Sequence, residues 1–272
     1  MLQIGPHIFV TKTPNINIMN QKNNISMTRP MTRPMTRSMS RSMTITKPIR
    51  NGRVLIFDTE TNGKIPKQYL TVDELPHILQ LSFVVYNTVT NHVEEVFDGY
   101  IKVKPEVEIP QETIDINGVT REICEEKGIH IIKALCHFYN AFISCDCVVA
   151  HNYDFDSQMI LVEIQRNLVM IEKYAPYCVN IFNPSFGVYS YCTMKVKKSA
   201  AICNEFRVKR GDKTVNWPKL IELYQCLFQE TPENLHNSIV DVLVCMRCYL
   251  KIRYNKDIDD VVFSKMMVNI LS

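Results

Sequence analysis

The first 52 residues contain no aspartate and no glutamate, yet they hold Lys12, Lys22, Arg29, Arg33, Arg37, Arg41, Lys47 and Arg50, so this stretch carries +8. Residues 53–272 hold 23 lysines and arginines against 28 acids, a balance of −5, and the net +3 of the chain therefore averages two different materials. Also missing is any apolar run near the ~20 residues that a membrane-spanning helix needs. The N-terminus lacks the basic start and apolar stretch of a secretory signal. These absences argue against a membrane protein and a secreted one, and a soluble, intracellular protein is expected. Ten cysteines are present, but without the paired spacing of a disulfide framework or zinc module. Cys245 and Cys248 make a single C-x-x-C inside what reads as a helix interior, and they are expected to be reduced core residues.

The basic stretch is also low in complexity. Residues 27–44 repeat Met-Thr-Arg-Pro twice, then Met-Thr-Arg-Ser, Met-Ser-Arg-Ser and Met-Thr. A period of four with Pro30 and Pro34 sustains no helical stripe, and its apolar surface is too small to offset the entropy of ordering it. Residues 1–52 are therefore expected to be a disordered basic arm. Its evenly spaced arginines suit non-specific attraction to nucleic-acid phosphates, and a neutral repeat expansion reads the same. Residues 53–272 form the expected folded domain. With 46% hydrophobic and 22% charged residues overall, the composition is that of a globular protein able to bury a sizeable core.

Within that domain, residues 54–57 (Val-Leu-Ile-Phe) form a short apolar run bounded by Asn51-Gly52 and by polar residues, which predicts a buried strand. Asp58 and Glu60 stand at its end. Alternate residues of a strand share a face, so two carboxylates would point the same way at the edge of a core. Like charges held that close call for a cation, and an all-oxygen site suits Mg²⁺ or Mn²⁺; on this stretch alone a strand that ends in a solvated acidic turn reads equally well.

Further on, residues 78–86 and 93–103 read as two strands joined by a turn at 87–91, so three strands form a meander. Residues 105–117 read as an irregular connection, followed by a turn into a helix capped near Thr120. Apolar spacing predicts a helix over 131–143. Residues 147–150 read as a buried strand running into His151-Asn152-Tyr153-Asp154-Phe155-Asp156 and then a helix, which puts Asp156 in the first helical turn. An acid there also serves simple helix-dipole pairing. Residues 171–190 read as a loop and 189–194 as a short strand. Lys195, Lys197, Lys198, Lys209, Arg210 and Lys213 make a basic interval suited to a phosphate backbone or to a solvated loop. A short helix is predicted over 217–228. A long apolar-faced helix starts at Ser238, with His236 just before it and Asp241 on its first turns.

Taken together, Phe57-Asp58-Thr59-Glu60-Thr61, then His151-Asn152 with Phe155-Asp156, then His236 followed five positions later by Asp241, resemble the three motifs of the DEDDh 3′–5′ exonucleases. This is the family of the proofreading epsilon subunit of bacterial DNA polymerase III. The likeness spans about residues 53–253 and has echoes at Pro76-His77-Ile78-Leu79-Gln80-Leu81, Asn117-Gly118-Val119-Thr120 and Cys192-Thr193-Met194. Tyrosine-type relatives would place Tyr at position 237, where this chain has Asn237. The family's frequent Asp before Thr193 is Cys192 here.

The resemblance implies a ribonuclease H-like α/β fold, a central mixed β-sheet flanked by α-helices. It also implies a two-metal mechanism in which Asp58, Glu60, Asp156 and Asp241 ligate two divalent metal ions, Mg²⁺ or Mn²⁺, around a scissile phosphate. His236 is implied as the general base, a role that suits an imidazole. Thr59, Thr61, His151 and Asn152 are implied as substrate-binding positions. The expected reaction is hydrolysis of phosphodiester bonds at the 3′ end of DNA or RNA, releasing nucleoside 5′-monophosphates. Since no polymerase segment is present, proofreading would require a separate polymerase as partner. Two other readings compete with this one. A haloacid-dehalogenase type of phosphatase uses Asp-x-Asp-x-Thr at a strand end, but Glu60 replaces its second aspartate and the class leaves His236 and Asp241 unexplained. A catalytically silent nucleic-acid-binding or adaptor protein with the same fold would most simply have lost a metal ligand, and none is lost.

Overall fold

The computed structural model describes residues 51–68, 71–232 and 235–271; apart from Asn51 and Gly52, the expected basic arm lies outside the described residues. In chain order the elements are β1 (Arg53–Thr61), β2 (Ile78–Asn87), β3 (His92–Tyr100), α1 (Gln111–Asn117), α2 (Arg121–Glu126), α3 (Ile131–Ile143), β4 (Cys147–Ala150), α4 (Tyr153–Arg166), α5 (Leu168–Tyr174), β5 (Tyr189–Cys192), α6 (Lys197–Arg210), α7 (Leu220–Phe228), α8 (Ser238–Tyr254) and α9 (Asp260–Leu271). The strands form one sheet in the order β3-β2-β1-β4-β5. β1 pairs antiparallel with β2, and β2 with β3, while β4 runs parallel to β1 and β5 parallel to β4. This is the mixed sheet flanked by helices that the family resemblance implies.

β1 is central, and its strict alternation divides the core in two. Leu55 and Phe57 pack into one layer with Phe138 of α3 and Met159 and Ile160 of α4. Val54 and Ile56 pack into the other with Leu223 of α7 and Val242, Leu243 and Met246 of α8. All of these residues are buried, and large-to-small changes at such positions cost about 2–5 kcal/mol each. Phe57 meets Phe138 edge-on with centroids 5.0 Å apart and Tyr153, at the start of α4, at 6.1 Å. The residue before Asp58 is thereby wedged against the helix that carries Asp156.

A second fastening joins α4 to the entry of β2. Glu163 pairs with Arg166 and accepts from the Ile78 backbone N–H at 3.2 Å, and Arg166 Nη2 donates to the carbonyls of Val72, Leu75 and Pro76 at 2.8–3.1 Å. Burial, followed by the Arg166 charge, pushes His77 down to about 4, so this histidine sits beside Glu163 as a neutral ring.

Three segments differ from expectation. The connection over 105–117 ends in α1, whose C-terminal Gly118 takes φ 71, a left-handed conformation that costs glycine little. The loop expected over 171–190 begins within α5. The basic interval is mostly α6, which buries only Ser199 and Cys203 and so shows little apolar stripe. No helix among the described residues is long and apolar enough to cross a membrane.

Candidate active site

The alternation of side chains along β1 decides what meets at its end. Asp58 and Glu60 continue the Val54–Ile56 row and face the α8 layer, whereas Thr59 continues the Leu55–Phe57 row and faces α4. From the α8 side comes Asp241, in that helix's first turn. One carboxylate oxygen each from Asp58, Glu60 and Asp241 lies within 4.8 Å of the others. From the opposite side comes Asp156, which is 3% exposed and whose Oδ1 accepts from Thr59 twice, at 3.1 Å from the backbone N–H and 2.8 Å from Oγ1. β1 thus holds three carboxylates by facing one layer and the fourth by facing the other.

Each of these acids is pushed toward its protonated form. Burial raises Asp58 from 3.8 to about 7, against the lowering effect of a bond from Ser238. Burial, then the charges of Asp58 and Asp241, raise Glu60 from 4.5 to about 9. Burial and Asp58 raise Asp241 from 3.8 to about 8, and the same two causes raise Asp156 well above its usual range. Asp241 Oδ1 is buried and has no hydrogen-bond partner among the described residues. An orphaned carboxylate oxygen beside two further acids costs free energy unless a cation shares the space. The donors are all oxygen, so the set fits a hard divalent ion such as Mg²⁺ or Mn²⁺.

Polar residues from three elements fix this arrangement. Ser238, the first residue of α8, donates from Oγ to the Asp58 carbonyl at 2.9 Å and from its backbone N–H to Gln80 Oε1 at 3.4 Å. Gln80 is fully buried in β2 and pairs in register with Glu60; its Nε2 donates to Asp98 of β3 at 2.8 Å. Asn117, at the end of α1, donates to Glu60 Oε2 at 3.4 Å and, through Oδ1, accepts from Val119 N–H at 3.0 Å. The sequence signals Asn117 as part of a turn and of a family echo at residues 117–120, with no role beside the acids. Gln80 falls within the family echo at residues 76–81 with no role attached to it, and Ser238 carries no signal of its own, because an isolated polar residue at a helix start has many uses.

His236 lies at φ 70, in the left-handed region, and its backbone N–H donates to Asp241 Oδ2 at 3.3 Å. The side chain is exposed. Asn237 follows as the N-cap, its side chain accepting from Ile239 N–H at 3.3 Å, so the turn that displays His236 is also what starts α8. His151 is differently placed. Its Nε2 lies 3.1 Å from the Pro218 carbonyl and its Nδ1 2.9 Å from Thr193 Oγ1. A carbonyl only accepts, so Nε2 carries the proton and Nδ1 accepts from the threonine. Burial pushes His151 down to about 4, in keeping with that neutral tautomer. Thr61 Oγ1 donates to Gly63 O at 2.7 Å. Asn152 takes φ 83 at the N-cap of α4 with no side-chain capping bond. Asp154, two residues before Asp156, instead reaches outward to Lys195 Nζ at 2.5 Å.

One buried and three half-buried carboxylates, drawn from one strand and two helices, make an all-oxygen set of the kind that metal-dependent hydrolases of phosphate esters use. Residues 55–249 match the RNase T exonuclease family model, and the chain belongs to this family of DEDDh-type exonucleases. No curated protein matches the sequence. Among solved structures, exonuclease I of E. coli in complex with a dA16 oligonucleotide is similar at 18% identity and TM-score 0.53, covering 80% of this chain and 43% of that one. Exonuclease I of Methylocaldum szegediense is similar at 18% identity and TM-score 0.51, again over 80% of this chain and 43% of that one. The chain spans under half the length of these proteins, and the likeness is one of fold. The matches lend no support to a separate polymerase partner.

Proposed function

We propose that this nuclease is a metal-dependent 3′–5′ exonuclease that removes nucleoside 5′-monophosphates from the 3′ end of DNA or RNA. The observation that carries the reading is the cluster of Asp58, Glu60 and Asp241, with ligand oxygens within 4.8 Å and Asp241 Oδ1 orphaned. In this reading those three residues and Asp156 hold two divalent ions, Mg²⁺ or Mn²⁺. When bound, such ions offset the negative charge of a scissile phosphate and make a neighbouring water more acidic. His236, exposed on a turn bonded to Asp241, takes the proton from the attacking water. Thr59 and His151 act as positioning residues, since Thr59 spends its donors on Asp156 and both His151 ring nitrogens are engaged within the chain. Thr61 is assigned the same role through Gly63, while Asn152 is assigned to substrate contact. An oligonucleotide on the matched E. coli protein is in keeping with a nucleic-acid strand as substrate.

The test is stepwise shortening of 5′-labelled DNA and RNA oligonucleotides by the purified full chain with Mg²⁺ or Mn²⁺. A descending ladder of labelled products is expected, and Asp58→Ala abolishes it. Immediate release of labelled mononucleotide would reverse the assigned polarity. Strand binding without hydrolysis by wild type and variant alike would favour the silent binding protein.

A further inference from the structure

Trp217 is the only tryptophan in the chain, and 62% of its surface is exposed, although an indole is among the most favourable side chains to bury. Its backbone is nevertheless held firmly. The next residue, Pro218, is buried and its carbonyl receives His151 Nε2 at 3.1 Å. The indole face is covered from one side by the Lys195 ammonium, 5.6 Å from the ring centroid, and Lys195 is itself tied to Asp154 in the first turn of α4. His151 follows β4 directly, and Lys195 follows β5 by three residues.

β1, β4 and β5 run parallel, so the tips from which Asp58 and Glu60, His151 and Lys195 emerge share one rim of the sheet. Ligands of open α/β sheets bind beyond such a rim. An exposed ring on an anchored backbone, with a cation beside it, supplies a π-face for a base and a charge for the adjoining phosphate. A base inside a duplex has both faces covered by neighbouring pairs, whereas one in a single strand has a face to give.

We propose that Trp217 stacks a nucleobase of a single-stranded 3′ segment, with Lys195 meeting an adjoining phosphate, and that this contact makes single strands the preferred substrate. The proposal rests on the exonuclease reading for the presence of a strand at the rim. Because the chain has one tryptophan, its emission reports this residue alone. In EDTA, titrating the full chain with a dT12 oligonucleotide quenches the emission to saturation, while an abasic strand of equal length leaves it nearly unchanged. With Mg²⁺, Trp217→Ala raises KM for single strands about tenfold and Trp217→Phe restores most of the loss, since stacking requires an aromatic face rather than an indole. Equal quenching by the abasic strand overturns the proposal, as does an unchanged KM in Trp217→Ala. If the wild type quenches on dT12 but cuts no oligonucleotide, the stacking contact stands and the exonuclease reading fails.

Discussion

Replacing Glu60 with glutamine stabilises the metal-free protein at alkaline pH even as it removes hydrolysis. Asp58, Glu60 and Asp241 present oxygens within 4.8 Å of one another. Two full charges at that separation repel by about 3 kcal/mol at an effective dielectric of about 20. Burial raises Glu60 to about 9, Asp241 to about 8 and Asp58 to about 7, from 4.5, 3.8 and 3.8, and the neighbouring acid charges add to the rise at Glu60 and Asp241. A carboxyl raised in this way keeps its proton in the folded chain at a pH where the unfolded chain has lost it. Folding therefore takes up protons, and the stability this supports below about pH 4 is lost as pH climbs through about 9. Glu60→Gln withdraws one member from the cluster; because the repulsion is shared among three groups, the gain is about 1–3 kcal/mol at pH 8.5 and little at pH 5. Urea denaturation in EDTA at the two pH values measures it. Adding Mg²⁺ at pH 8.5 should stabilise the wild type more than the variant, because only the wild type keeps its full ligand set. A variant no more stable than wild type at pH 8.5, or one whose gain is the same at pH 5, would refute the argument that the acids are held in mutual conflict.

Two further perturbations separate chemistry from architecture. His236→Gly removes the proposed base at a left-handed position where glycine is unstrained, so kcat falls about 10²–10⁴-fold while the melting temperature holds or rises; a kcat within threefold of wild type removes His236 from the reaction. Thr59→Val keeps the shape but deletes one of the two bonds to Asp156 Oδ1, for a loss of about 1–2 kcal/mol by urea denaturation together with a lower kcat; unchanged stability would mean that this bond does not hold Asp156.

How far each feature was readable from the chain follows from its physics. β1, α3 and the start of α8 are marked by apolar periods or by apolar runs with clear ends, because burial against a neighbouring layer requires them. The four acids and His236 stand out because chemistry of this kind tolerates few residue types. α6 was hidden, since only Ser199 and Cys203 of its fourteen residues are buried and its lysines read equally well as loop. α1 was hidden by its brevity and by Pro110 at its N-cap, and α9 lay beyond the last motif. The roles of Ser238 and of Gln80, which lies within a family echo, were illegible for another reason: they act only through β1, β2 and α8 together, and that meeting exists nowhere along the chain.

The division of the core by β1 has a consequence for when the protein becomes dangerous. Asp241 belongs to a helix in one layer and Asp156 to a helix in the other, and β1 is the wall between them. A chain with only one layer closed has part of the acid set but not the whole. On the proposed reading, in which all four acids serve the cut, cutting ability arrives with the last core to assemble and leaves with the first to open.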